Sequence, residues 1–294
     1  MLQELEVAAT TVLEAASPSV VGLGWGWRRA SGVVIAPGRV LTSAHAVRGQ
    51  EATATFAGGR TDTATLTAVD VDGDLAVVRA DTGEAPAIAW ADDAPVPGRP
   101  VFALAAVDGG GVRVSFGIVS AVGRSFRGPR GRRITGAVEH TAAVARGSSG
   151  GPLVDAAGRL VGLSTVRLDG GLVLALPADA ELRGRADALG RGEAPARRSL
   201  GVAVAPPRAA RRMRRTVGLS ERAGLLVRRV DDDGPAAGAG VRSGDLIVAA
   251  GGEEIGSIDA LYAALDGLDT GAALTLSLVR GEEERQVDVV PEEV

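Results

Sequence analysis

The stretch that decides both the fold and the chemistry of this chain is GSSGGPLV, residues 147–154. It places a serine in a glycine-rich turn directly before an apolar strand. The glycines let the backbone turn so that two amide N–H groups point at one spot beside the hydroxyl, without clashes from Cβ atoms. The segment therefore predicts a nucleophilic serine, Ser149, provided that a base and an acid lie elsewhere in the chain.

Two upstream segments supply the base and the acid. VLTSAH, residues 40–45, places His45 just past the end of an apolar strand, and DVDGDLAVV, residues 70–78, places Asp74 directly before a buried strand. A histidine that takes the hydroxyl proton and an aspartate that orients the histidine complete the set that serine attack on an amide requires. The alternatives left open are Asp70 and Asp72 for the acid and Ser148 for the nucleophile.

Short strands dominate the chain from residue 19 to about residue 177. They begin where bulky residues alternate with glycines over 20–27, and Gly, Pro, Asp or Arg clusters separate the apolar runs that follow. Residues 2–16 are expected to form a short helix, and the three prolines within 91–100 indicate a seam between two halves. The pattern predicts a mainly β fold of the sandwich or barrel type.

Composition excludes several classes of function. The 294 residues include no cysteine and two histidines, so we expect no disulfide framework, no metal site and no cofactor. A net charge of −4 and an aromatic content of 3% argue against nucleic-acid binding. No run approaches the ~18 apolar residues of a membrane helix.

The ordered motifs resemble those of chymotrypsin-like serine peptidases, and more closely the HtrA (DegP-type) branch. The likeness includes RVLTSAHAV at 39–47 and SSGGPLVDAAGRLVGLST at 148–165, and it continues with AGVRSGDLI at 239–247, similar to the signature of the family's PDZ domain. It covers nearly the whole chain. The resemblance implies a chymotrypsin-like double β-barrel followed by a small α+β PDZ domain. The expected divisions are a protease domain over 1–180, a linker over 181–198 and a PDZ domain over 199–294. Within the stretch 178–198, a helix is expected to precede the linker.

The same resemblance implies roles for individual residues. His45 is then the general base, Asp74 orients it, Ser149 attacks, and the amides of Gly147 and Ser149 form the oxyanion hole. No carboxylate stands at Ala143, the expected base of the specificity pocket, so small or medium apolar side chains are expected before the scissile bond. The expected wall of the pocket is Leu163, Ser164 and Thr165, and Ser164 is also expected near the catalytic aspartate.

Ser148 departs from the family pattern, which usually has asparagine there, or aspartate in digestive relatives. A serine cannot pair with a freed N-terminus, so activation by N-terminal cleavage is not expected. Any control is expected to be conformational, through loops that form or break the oxyanion hole.

In the PDZ domain, the resemblance implies that residues 199–202 grip the terminal carboxylate of a peptide that adds a strand to the sheet edge. A helix over 258–268, with Ser257 as its N-cap, is expected to face this loop. The residues expected to bind the peptide C-terminus are Leu200, Gly201, Val202, Leu261 and Leu265.

The expected function is an ATP-independent serine endopeptidase of bacterial protein quality control that cleaves unfolded or misfolded proteins. Its PDZ domain is expected to bind peptide C-termini or to regulate activity. The alternative is a catalytically quiet peptide-binding or chaperone-like scaffold that acts through the PDZ domain. The family commonly trimerises through its N-terminal segment, which corresponds to residues 2–21, so a homotrimer is expected. The glutamates near the N-terminus predict a cytoplasmic location, or an extracytoplasmic one if an export segment has been removed.

Three further features are expected to be structural. His140 is predicted to be a strand or loop residue rather than a second catalytic group. The arginines within 124–133 indicate an exposed loop, and those within 208–215 indicate a helix with a solvated basic face.

Overall fold

A computed structural model describes residues 2–129 and 131–294 of the chain. It divides into two compact units, Met1–Ala194 and Pro195–Val294. Arg130, a member of the first arginine cluster, lies outside the described residues.

The first unit contains two closed six-stranded antiparallel barrels, which confirms the predicted double-barrel architecture. The predicted N-terminal helix is present as α1, Leu2–Ala16. The first barrel consists of β1 (Val20–Trp25), β2 (Arg28–Ala36), β3 (Arg39–Thr42), β4 (Glu51–Thr55), β5 (Thr61–Asp70) and β6 (Leu75–Arg79). The second consists of β7 (Pro100–Val107), β8 (Gly111–Arg127), β9 (Arg133–His140), β10 (Pro152–Val154), β11 (Leu160–Arg167) and β12 (Val173–Pro177), and the helix α2 (Ala180–Gly190) follows it.

Three apolar clusters form the core of the first unit. Residues such as Leu23 and Val40 fill the first barrel, and residues such as Leu153 and Val161 fill the second. The third cluster joins outward-facing residues of both barrels with the apolar faces of α1 and α2. The two barrels and the two helices therefore share one continuous packing surface, which fixes the strand ends of one barrel against those of the other.

The helix α2 belongs to the first unit. Leu182, Ala186 and Leu189 are buried in the third cluster, and Asp179 caps the helix by accepting a hydrogen bond from the Leu182 amide at 2.8 Å. Most of this helix falls within the segment predicted as a linker, residues 181–198. The stretch between the two units that has neither helix nor strand is residues 191–197.

The second unit has a mixed α and β composition, as predicted. Its elements are β13 (Arg198–Ser199), β14 (Val202–Ala205), α3 (Pro207–Thr216), β15 (Leu225–Val230), α4 (Pro235–Gly238), β16 (Leu246–Ala250), β17 (Glu253–Glu254), α5 (Ile258–Asp266), β18 (Leu274–Arg280), β19 (Glu283–Val289) and β20 (Glu292–Glu293). The main sheet has the order β14-β15-β16-β18-β19, with β17 paired to β16 and a separate pair formed by β13 and β20. Ser257 caps the predicted helix, α5, by accepting a hydrogen bond from the Ala260 amide at 3.1 Å.

The arginines of helix α3 are not confined to its solvent-exposed face. Arg214 is buried, and its guanidinium donates hydrogen bonds to the carbonyls of Ser220 (3.0 Å) and Gly281 (3.1 Å). Of the remaining arginines of α3, Arg208, Arg212 and Arg215 are exposed and Arg211 is partly buried. In the described part of the chain, no helix is long and apolar enough to cross a membrane.

Candidate active site

His45 and Asp74 meet at the end of the first barrel. His45 lies in a short turn directly after β3, and Asp74 lies in the turn that precedes β6, the strand paired with β3. The Nδ1 atom of His45 is 2.9 and 3.0 Å from the two carboxylate oxygens of Asp74, and the His45 amide donates to the same carboxylate at 2.9 Å. The side chain of Asp74 is 1% exposed and that of His45 is 33% exposed, so the aspartate holds the ring from the buried side.

The turn that carries Asp74 is held by a second carboxylate. Asp74 has a φ of +56°, a left-handed conformation that few residues other than glycine adopt. Asp70 accepts a hydrogen bond from the Gly73 amide at 2.8 Å and closes the turn. Arg185 of α2 donates to Asp70 through both Nε (3.2 Å) and Nη2. The helix after the second barrel therefore stabilises the turn that presents the Asp74 carboxylate to His45.

Ser149 lies in the glycine-rich loop between β9 and β10, on the second barrel. Its hydroxyl donates to the main-chain carbonyl of Thr165 at 3.4 Å, and within the described residues it forms no hydrogen bond to His45. The Thr165 hydroxyl in turn donates to Asp74. One residue, Thr165, thus links the serine to the His45–Asp74 pair.

Direct packing brings the serine loop against the strand that leads to His45. Gly150 has a φ of +81°, and a Cβ at this position would lie 2.3 Å from Thr42 Oγ1 and 2.9 Å from the Ser43 amide nitrogen. Only glycine fits there. Ser31 of β2 adds two bonds, from its amide to the Ser149 carbonyl (3.0 Å) and from its hydroxyl to the Gly147 carbonyl (2.9 Å). The two barrels therefore hold the three predicted catalytic residues at one junction.

The amides predicted to form the oxyanion hole remain available. Among the described hydrogen bonds, neither the Gly147 nor the Ser149 amide donates to a protein acceptor. Gly147 has a φ of +87°, which a residue with a Cβ rarely adopts, so the glycine permits the local turn. Two free donors beside a serine hydroxyl can stabilise an oxyanion.

Two of the three residues predicted to form the wall of the specificity pocket, Ser164 and Thr165, line a cavity beside Ser149. Leu163 does not, because its side chain packs in the third apolar cluster between the barrels. Ala143 is exposed and lies outside the lining of this cavity.

The polar residue beside the aspartate is Thr165 and not Ser164, which corrects the sequence-based assignment. The register between β11 and β12 shifts between Ser164 and Val166, which marks a bulge at Thr165. A bulge redirects a side chain without lengthening the strand pair. Here it lets Thr165 reach Asp74, while the Ser164 hydroxyl is buried with no hydrogen-bond partner among the described residues.

Sequence reasoning missed three supporting residues, namely Ser31, Thr165 in its bridging role, and Arg185. None carries a local motif, since each acts on a partner far away in sequence. Of the alternatives left open, Asp70 bonds to Arg185 and Asp72 pairs with Arg132 at 3.1 Å, so Asp74 is the carboxylate that holds His45. No cluster of His, Cys, Asp and Glu in the described residues has the arrangement of a metal site.

The two barrels and the residues at their junction have the arrangement of chymotrypsin-like serine peptidases. In agreement, residues 30–163 match the family of trypsin-like peptidase domains and residues 199–290 match the PDZ domain family. A trypsin-like peptidase domain is thus followed by a PDZ domain, and this order of domains supports an HtrA-type protease.

Two curated relatives illustrate the match. A probable periplasmic serine endoprotease, DegP-like, from Halomonas elongata is 30% identical over 88% of this chain and 55% of its own length. Protease Do-like 1, chloroplastic, from Arabidopsis thaliana is 28% identical over 94% of this chain and 64% of its own length. The chain thus spans between half and two thirds of the length of these relatives.

Solved structures match over almost their whole length. The serine endoprotease from Yersinia pestis is 25% identical, with a TM-score of 0.65, over 97% of this chain and 98% of that one. The HtrA-type protease AlgW with a bound tripeptide is 26% identical, with a TM-score of 0.60, over 97% of each chain.

Proposed function

We propose that this protein is a serine endopeptidase that hydrolyses peptide bonds of unfolded or misfolded proteins without ATP. The observation that carries the proposal is the chain of contacts from Ser149 through Thr165 to Asp74 and His45. Every group that amide hydrolysis by serine needs is present at this junction, and the Gly147 and Ser149 amides have no competing acceptor among the described residues.

In the proposed reaction, the Ser149 hydroxyl attacks the carbonyl carbon of the scissile bond. His45 takes the hydroxyl proton at Nε2, because its Nδ1 is bonded to Asp74. The oxyanion accepts hydrogen bonds from the Gly147 and Ser149 amides. His45 then gives the proton to the leaving amine, and water hydrolyses the acyl-enzyme by the same steps. For the attack, Ser149 Oγ exchanges its bond to the Thr165 carbonyl for one to His45, a change that substrate binding often completes.

For the PDZ domain, we propose binding of peptide C-termini at the edge of β14. Leu200, Leu261 and Leu265 belong to one apolar cluster, and Val202 packs against it. Gly201 has a φ of +71°, as a tight carboxylate-binding loop requires, and its amide donates to the Ser199 hydroxyl at 3.1 Å. A peptide carboxylate would displace this hydroxyl from the loop amide.

The location and the assembly state are also proposals. The Halomonas relative is described as periplasmic, which favours an extracytoplasmic site of action for this chain. A homotrimer through the N-terminal segment is proposed on the family resemblance alone.

The test compares Ser149→Ala with Ser148→Ala. The first substitution removes the attacking oxygen and should abolish both casein cleavage and labelling by a fluorophosphonate. The second removes the neighbouring hydroxyl, which forms no hydrogen bond to any described residue, and should leave both intact. Equal labelling of the Ser149→Ala variant and the unmodified protein would refute the proposal. Absence of labelling in the unmodified protein, with peptide C-termini still bound, would favour the scaffold alternative.

A further inference from the structure

A cavity of about 250 Å³ adjoins Ser149 and the oxyanion amides. It is the place where the side chain before the scissile bond would lie, because it is continuous with the attacking serine. The lining includes two arginines, Arg146 on the serine loop and Arg167 of β11, and two valines, Val144 and Val173. Among the described residues that line the cavity, none is acidic.

Arg167 is an exposed residue that lines this cavity. It stands at the end of β11, and its Nη1 lies 3.5 Å from the carbonyl of Val144 on the serine loop. This is a long hydrogen bond, and a guanidinium has five N–H donors to place. In the described part of the chain, neither Arg167 nor Arg146 forms an ion pair. Most of the hydrogen-bonding capacity of the two arginines is therefore open to a ligand.

Ser164 provides an independent observation. It lines the same cavity, is 2% exposed, and its hydroxyl has no hydrogen-bond partner among the described residues. A buried hydroxyl without a hydrogen-bond partner lowers the stability of the folded protein. A ligand in the cavity would supply the missing hydrogen-bond partner of the Ser164 hydroxyl. A cavity lined only for an apolar side chain would gain nothing from this hydroxyl.

We infer that the cavity takes an acidic side chain, so that the protein cleaves after glutamate or aspartate. The inference rests on the proposed peptidase function and narrows its substrate class. A guanidinium binds a carboxylate with two parallel hydrogen bonds, which a carbonyl or an aliphatic group cannot reproduce. The valines pack against the methylene groups of the same side chain. The absence of a carboxylate at Ala143 argues against Arg and Lys but does not separate apolar from acidic residues, whereas Arg167 does.

The experiment uses internally quenched, C-terminally amidated peptides that differ only in the residue before the scissile bond: Glu, Gln, Val or Arg. Amidation removes the free carboxylate that the PDZ domain would bind. At low salt, kcat/KM for Glu should exceed that for Gln by ~10- to 100-fold, as expected for hydrogen bonds to a charged group. Arg167→Met should lower the Glu-to-Gln ratio several-fold while Arg146 remains in the cavity, and Arg167→Glu should favour the Arg peptide. Arg113→Met, which removes an exposed arginine of β8 outside the cavity, should change none of these ratios.

Binding separates failure of this inference from failure of the peptidase proposal. The Ser149→Ala variant should bind the uncleaved Glu peptide ~10-fold more tightly than the Gln peptide, as measured by fluorescence anisotropy. Preference for Val over Glu in an enzyme that hydrolyses peptides would overturn the acidic specificity alone. Equal affinity of Ser149→Ala for the Glu and Gln peptides would overturn it even in a protein that hydrolyses nothing.

Discussion

His140 should make the first unit less stable as the pH falls from about 7 to 4. It stands at the end of β9, paired with Val119 of β8 and Val173 of β12, and it is fully buried. Both ring nitrogens lack a hydrogen-bond partner among the described residues. Burial away from water lowers the pKa of His140 from 6.5 to about 4, since the protonated ring cannot be solvated there.

The sign and size of the effect follow from linkage. Between pH 6.5 and 4 the unfolded chain binds a proton at this histidine and the folded chain does not, so protonation favours unfolding. Above pH 6.5 both states are neutral, and below pH 4 both are protonated. About 2.5 pH units at 1.36 kcal/mol each give a loss on the order of 3 kcal/mol across this window.

The assay compares the unmodified protein with His140→Met, which replaces the imidazole by an apolar side chain of similar size that does not titrate. Trp25, Trp27 and Trp90 all lie in the first unit, so tryptophan fluorescence during urea unfolding reports on that unit alone. The difference in unfolding free energy between the two proteins should change by about 3 kcal/mol from pH 7 to pH 4. Val119→Ala, which leaves a cavity at the paired position, should lower stability by a constant amount over the same range. A pH-independent difference between His140→Met and the unmodified protein would refute the reasoning.

Two further predictions concern the support of the catalytic aspartate. Arg185→Met removes the partner of buried Asp70 and should lower kcat on casein ~10-fold with little change in KM, whereas Arg191→Met, which removes an exposed ion pair at the end of the same helix, should have no effect. An unchanged kcat for Arg185→Met would show that the turn holds its shape without the arginine. Thr165→Val removes the hydroxyl that donates to Asp74 and should lower kcat ~10-fold, while Thr165→Ser, which keeps the hydroxyl, should retain most of the rate. Equal rates for Thr165→Val and Thr165→Ser would mean that the hydroxyl does not act on Asp74.

Sequence alone predicted the fold, and it predicted the three residues that we propose to carry out the chemistry. The strands of both barrels are marked by apolar runs between glycine, proline and charged clusters, and the three reactive residues each stand beside such a run. His45 follows β3 and Asp74 precedes β6, two strands that pair with each other, so their contact is a consequence of the fold. The sequence does not indicate which residues become partners through tertiary packing. Arg185 lies 115 residues from Asp70, and no pattern in α2 distinguishes it from the other arginines of that helix.

The specificity pocket shows a second reason why sequence reasoning stops short. If β11 alternated regularly, Leu163 and Thr165 would lie on one face of the strand and Ser164 on the other. The shift of register between Ser164 and Val166 breaks this alternation, and such a bulge depends on the pairing with β12 and not on β11 alone. Leu163 therefore stays in the core, Ser164 and Thr165 both reach the site, and the charged residue of the wall is Arg167, two positions beyond the predicted segment. Deletion of Thr165, the one residue between Ser164 and Val166, would remove both the bulge and the hydroxyl that donates to Asp74. It should move Arg167 off the cavity at the same time, so that rate and acidic preference would be lost together.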